Sequence, residues 1–155
     1  MSRQVLTAQP IELAAFARLM RAHSVLQREL AEVLRPRGLT LNDFEALYHL
    51  SRADEHRLRR IDLAALLMLS PSGVTRLLDG LEAAGHIENV NCADDARVTW
   101  ARLTDAGSEL LQCVGVNHAD RLRRLFRETL TDDEVEDLSA LLGRIPGVDG
   151  GSCAG

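Results

Sequence analysis

The stretch Ser70-Pro-Ser-Gly-Val-Thr-Arg-Leu-Leu-Asp-Gly-Leu-Glu-Ala-Ala-Gly85 decides the fold of this chain. Ser70 is a helix-capping residue, and proline follows at the first helical position, where its missing N–H costs nothing. Val74, Leu77, Leu78 and Leu81 then recur at i, i+3, i+4 and i+7, one apolar stripe on a helix that Gly85 stops. With the stripe turned inward, the 100° step per residue places Ser72, Gly73, Thr75, Arg76 and Asp79 outward. A lone guanidinium on such a face can fork onto guanine O6 and N7 or grip phosphate, and the free N–H groups of a helix start also attract phosphate. An ordinary solvated helix presents the same face, so the flanking segments decide between the two.

Upstream, Arg57-Leu-Arg-Arg60 reads as a short extended piece and residues 61–68 as a compact helix. Downstream, residues 86–91 and 98–103 are extended runs around the turn-rich Cys-Ala-Asp-Asp-Ala, the pattern of a hairpin. Two short helices joined by a tight turn and followed by a hairpin make a winged helix-turn-helix. The hairpin tip ends Asp94-Asp95-Ala-Arg97. An aspartate two residues before an arginine can brace the guanidinium and point it into the narrow, negative minor groove. On its own the tip is equally a solvated loop with an ion pair worth under ~1 kcal/mol. Arg57, Arg59, Arg60 and Arg102 are further candidates for holding backbone phosphates, or for bracing the sheet.

The ends of the chain carry longer helices. Residues 11–34 repeat Phe16, Leu19, Met20, Leu26, Leu30, Val33 and Leu34 at three- and four-residue steps until Pro36 and Gly38. A second helix is expected over 42–52, with Asn42 as its cap. Thr104 caps a long helix to about residue 128, and Thr131 caps another to 142. The predicted fold is mostly α with a small β wing. Residues 36–104 form the winged lobe, 1–35 and 105–145 the dimerisation helices, and 146–155 a disordered tail. The terminal helices are too apolar on one stripe to stand alone, so a second subunit is their expected partner.

Composition narrows the function. A chain of 155 residues with 46% hydrophobic and 26% charged residues is neither disordered nor fibrous. No stretch approaches the ~18 apolar residues of a bilayer crossing, and the start Met1-Ser-Arg-Gln-Val has no signal-peptide core, so a cytoplasmic protein without membrane contact is expected. Cys92, Cys113 and Cys153 are too few and too scattered for a disulfide framework or zinc site. With no nucleophile–base pair and no phosphate-binding loop, neither an enzyme nor a cofactor or metal is expected. Aromatics at 3% leave little for stacking on single strands.

The net charge of −5 hides a gradient. Residues 1–60 hold 10 arginines against 7 acids, and residues 61–155 hold 8 against 16; there is no lysine. Local patches govern nucleic-acid binding, so the total does not exclude DNA. It does predict that the acidic segment 128–137 faces away from a duplex.

The stretch 70–85, followed by Asp95-Ala-Arg97 and Leu103-Thr-Asp-Ala-Gly107, resembles the MarR (multiple-antibiotic-resistance regulator) family over about residues 10–143. The resemblance implies a homodimer with intertwined terminal helices and two winged lobes on one double-stranded DNA. It implies a transcriptional regulator, usually a repressor, released by a small phenolic or organic-acid effector or by oxidation. By position, Ser70, Ser72, Thr75 and Arg76 would meet the major groove, and Arg97, braced by Asp95, the minor groove. Half-sites of a pseudo-palindromic operator would lie ~10 base pairs apart. This chain departs from the family in its first wing strand, Ile87-Glu-Asn-Val-Asn91, which lacks a base, and in Gly80, where arginine is common. Weaker, more salt-sensitive DNA binding follows.

For the effector pocket the candidates are His23 and His118, each on the apolar stripe of a long terminal helix, with Arg21 and His49 behind them. Two histidines satisfied inside a core would look the same. A thiol-based redox regulator is the rival switch, but Asp94 and Asp95 beside Cys92 oppose a thiolate. A rival of another class is a protein-interaction adaptor that keeps the winged fold and has lost DNA binding.

Overall fold

The structure, a computed structural model, describes residues 10–91 and 98–148. Helix α1 (Ile11–Leu34) runs into a 3-10 turn at Arg35–Arg37 and ends on Gly38 at φ +69°. There the Leu39 N–H donates to Leu34 O (3.3 Å) and the Gly38 N–H to Arg35 O (3.0 Å), a Schellman turn that needs a left-handed residue. Helix α2 (Leu41–Arg52) begins one residue earlier than expected, because its cap is Thr40 and not Asn42. Thr40 Oγ1 accepts the Asp43 N–H at 3.2 Å, while Asp43 Oδ2 accepts the Thr40 N–H at 2.8 Å. This reciprocal capping box satisfies two orphan donors, which Asn42 could not do from inside the first turn.

Strand β1 (Arg57–Arg59) and helix α3 (Arg60–Leu66) follow, so the extended piece stops at Arg59 and the helix ends two residues short of the expected position 68. The chain then bends by 107° into α4 (Pro71–Ala83), the angle expected of a helix-turn-helix. Strands β2 (Ile87–Asn91) and β3 (Thr99–Leu103) form the hairpin, and β1 adds to its far side in the antiparallel order β1-β3-β2. Helices α5 (Asp105–Arg127) and α6 (Asp132–Gly143) start on Thr104 and Thr131, the capping residues expected from the sequence. Of the tail expected from residue 146, residues 149–155 lie outside the described residues; the Val148 N–H turns back to Ile145 O at 3.1 Å.

One core holds the lobe. Leu34, Leu47, Leu50, Leu63, Leu78 and Ile87 are fully buried and join Ala46, Ala101, Leu103 and Val114 into one cluster. It draws on α1 through α5, so the orientation of α4 depends on the long helices as well as on its neighbours. The start of α5 is fastened to the end of α4: Thr104 Oγ1 donates to Gly85 O at 2.7 Å, and the Thr104 N–H to His86 O at 3.1 Å. A Cβ on Gly107 would overlap the His86 carbonyl, so only glycine allows this approach.

Helix α5 lies along the second half of α1, where Arg121 pairs with Glu29. Among the described residues the first half of α1 has no such partner. Ile11, Leu13, Phe16, Leu19 and Met20 are all exposed, Phe16 at 60%, and so are Val116 on α5 and Leu141 on α6. Among the described residues no single helix is long and apolar enough to cross a membrane.

Candidate nucleic-acid interface

Ser70 Oγ accepts the Gly73 N–H at 3.1 Å and lies 3.2 Å from Ser72 Oγ, which fixes the first turn of α4. Thr75 Oγ1 donates to Pro71 O at 2.9 Å, which turns its hydroxyl back onto the helix backbone. Ser70, Ser72, Thr75 and Arg76 are all exposed, on the side opposite buried Val74, Leu78 and Leu81. Gly73 differs from the expected outward placement and is half-buried, since a side chain there would press on Ser70 Oγ at 3.2 Å and on Leu69. Arg76 has no hydrogen-bond or ion-pair partner among the described residues. Its guanidinium is therefore available to a ligand.

The arginines of β1, α3 and β3 are engaged. Arg57 pairs with Glu55 and lies over the Trp100 ring, 5.0 Å from its centroid. Arg59 forks onto Asp62 with Nε and Nη2 at 2.6 and 2.9 Å. Arg102 reaches Glu88 across the β2–β3 pair at 2.6 Å. Arg60 donates to Asn89 Oδ1 at 3.1 Å and approaches Asp79 of α4 at 3.9 Å. Asn89 in turn donates to Glu82 of α4 through its backbone (3.3 Å) and its amide (2.5 Å). The base-free wing strand thus has a polar role of its own, because Glu88 and Asn89 tie it to β3, α3 and α4. Sequence reasoning missed this network, because nothing in the spacing of 60, 79, 82 and 89 announces a cluster. Cys92, Asp94, Asp95 and Arg97 at the wing tip lie outside the described residues.

The four pocket candidates are not brought together as equals. His118 is half-buried on α5 and stacks on Phe44 of α2, with ring centroids 4.2 Å apart at 26°. Burial holds its imidazole below the ordinary histidine range, and its Nδ1 is enclosed with no hydrogen-bond partner among the described residues. His23 and Arg21 are exposed near the middle of α1, and His49 meets the edge of Tyr48. Cys113 is exposed and accepts a hydrogen bond from Arg37 at 3.1 Å.

A capped helix presented by a helix-turn-helix, with a three-stranded wing behind it, defines a winged helix-turn-helix protein. A family model described as the MarR family matches residues 37–98. AbsC, a MarR family transcriptional regulator from Streptomyces coelicolor, is 30% identical with a TM-score of 0.79 over 91% of this chain and 93% of its own. This chain belongs to the MarR family and is a transcriptional regulator, not an enzyme. The HTH-type transcriptional regulator PecS of Dickeya dadantii (strain 3937) is 29% identical over 128 residues, 82% of this chain and 76% of that one. A cysteine-to-serine mutant of MarR from E. coli, solved in complex with operator DNA, is 28% identical with a TM-score of 0.76 over 87% of this chain and 96% of that one.

Proposed function

We propose that this protein is a cytoplasmic, homodimeric repressor that binds a pseudo-palindromic operator and is released by a small organic-acid or phenolic effector. The observation that carries the DNA reading is the free guanidinium of Arg76 on the capped, exposed face of α4, where every other arginine of α3 and the described sheet is held by an acid or an amide. Ser70, Ser72, Thr75 and Arg76 enter the major groove, and Arg97, braced by Asp95, the adjacent minor groove. Arg57, Arg59, Arg60 and Arg102 chiefly brace the lobe, so phosphate contacts are few and the affinity modest.

Dimerisation is supported by the apolar first half of α1, since Ile11, Phe16 and Met20 would otherwise stand in water. Residues 1–35 and 105–145 then form the subunit contact and residues 36–104 each DNA-binding lobe. A dimer seated across a promoter blocks polymerase, which makes repression the natural outcome. The effector binds near His118 and His23, against Phe44, where an enclosed Nδ1 without a hydrogen-bond partner among the described residues stands between the lobe and the long helices, and Arg21 and His49 are further candidates. Such a ligand acts by binding the non-DNA arrangement more tightly.

Selection from a random duplex library tests the reading. Enrichment of an inverted repeat with half-sites ~10 base pairs apart is the expected result. A library that stays random through successive rounds contradicts it and favours the adaptor.

A further inference from the structure

Three helix ends in this lobe close with the same six-residue Schellman turn, and their central residues differ. Gly38 (φ +69°) ends the first and Gly85 (φ +78°) ends α4, where the His86 N–H reaches Leu81 O and the Gly85 N–H reaches Glu82 O, both at 2.9 Å. In the helix-turn-helix turn the same bonds run from the Leu69 N–H to Ala64 O (2.9 Å) and from the Met68 N–H to Ala65 O (3.2 Å). The left-handed position there is Met68, at φ +52°. An L side chain is strained in this conformation, and glycine would relieve it.

Met68 is also 90% exposed, the most exposed large apolar side chain described. Two penalties thus fall on one residue: backbone strain and an apolar chain in water. Among the described residues nothing covers this side chain. Strain of this kind concentrates where a side chain serves a ligand. Met68 lies two residues ahead of Ser70, so its chain extends the exposed edge of Ser70, Ser72, Thr75 and Arg76.

We propose that Met68 is a DNA-contacting residue whose thioether chain packs on apolar C–H surface of the operator, a thymine methyl or a deoxyribose, at the rim of the groove that α4 enters. An unbranched, flexible side chain suits that uneven surface, and apolar contact with the thymine methyl is an established mode of readout. The inference rests on the DNA-binding reading above. It adds an uncharged contact to an interface poor in free cations.

The test compares full-length wild type, Met68→Gly and Met68→Ala on the duplex recovered by selection with wild type, across a salt series and with a thermal melt of each protein. Both variants should bind about 3- to 10-fold more weakly, the loss expected for unburying part of one apolar side chain. The slope of log affinity against log salt should stay at the wild-type value, since no phosphate contact is removed. Met68→Gly should melt about 1–3 °C above wild type, whereas Met68→Ala, which keeps the strain, should not. Replacing thymines by deoxyuridine separates the sources: wild-type affinity falls at one position per half-site if the methyl is read, and at none if the sugar is. Variants that bind as tightly as wild type, or that lose affinity with a changed salt slope, overturn the inference and leave the DNA reading intact. A wild type that selects no duplex overturns both.

Discussion

Arg60 Nη2 donates to Asn89 Oδ1 at 3.1 Å, joining the first helix of the helix-turn-helix to the first strand of the wing. Asn89 is bonded in turn to Glu82, and Arg60 lies 3.9 Å from Asp79, so α3, β2 and α4 meet in one polar junction. The junction fixes the angle between the wing and the helix that carries Arg76.

Arg60→Ala should therefore weaken DNA binding without removing a DNA contact. Loss of the hydrogen bond costs about 1 kcal/mol, and the net value is held down because Arg60 Nε is itself buried with no partner among the described residues. A thermal melt should fall by about 2–4 °C, and the operator affinity by a few-fold at every salt concentration. A reduced salt slope would instead assign Arg60 to a phosphate.

How much of this is legible in the sequence depends on how local each signal is. The caps of α4, α5 and α6 are readable because Ser70, Thr104 and Thr131 act within one turn of themselves. Asn42 misleads because any Asx residue near a helix start looks like a cap, and only the reciprocal pairing of Thr40 with Asp43 decides between them. The inward stripe of α4 is correct at Val74, Leu78 and Leu81, since periodicity reports burial directly. Side-chain partners across 19 or 29 residues, such as Asp79 and Asn89 for Arg60, are set by tertiary geometry and leave no periodic trace. Met68 is hidden for a related reason: its apolar character continues a helical pattern, while its backbone has already left the helix.

His118 makes stability depend on pH. Its folded imidazole titrates below the unfolded value of 6.5 because burial against Phe44 disfavours the cation. The unfolded chain therefore binds more protons in the window below 6.5, and stability falls as pH drops through it. Wild type should lose melting temperature between neutral and mildly acid pH, and His118→Gln should flatten that dependence. An NMR titration placing His118 at 6.5 would abolish this dependence, and one placing it above 6.5 would reverse its sign.

The uncovered half of α1 makes a prediction about assembly. Phe16→Glu places a charge on an exposed apolar stripe, twice in a symmetric dimer. Sedimentation equilibrium should show wild type as a dimer and the variant's dimer dissociation constant raised at least ~100-fold, the loss of roughly 3 kcal/mol over two buried rings. A wild type that sediments as a monomer contradicts the proposed subunit contact.

The most direct measurement is a titration of the selected duplex with wild type and Arg76→Ala, read beside the melting temperature of each protein. Arg76 is exposed and has no hydrogen-bond or ion-pair partner among the described residues, so its removal should leave stability nearly unchanged while affinity falls at least about tenfold and base preference blurs. Equal affinity for the two proteins would contradict the account, because α4 would then not be the surface that reads DNA.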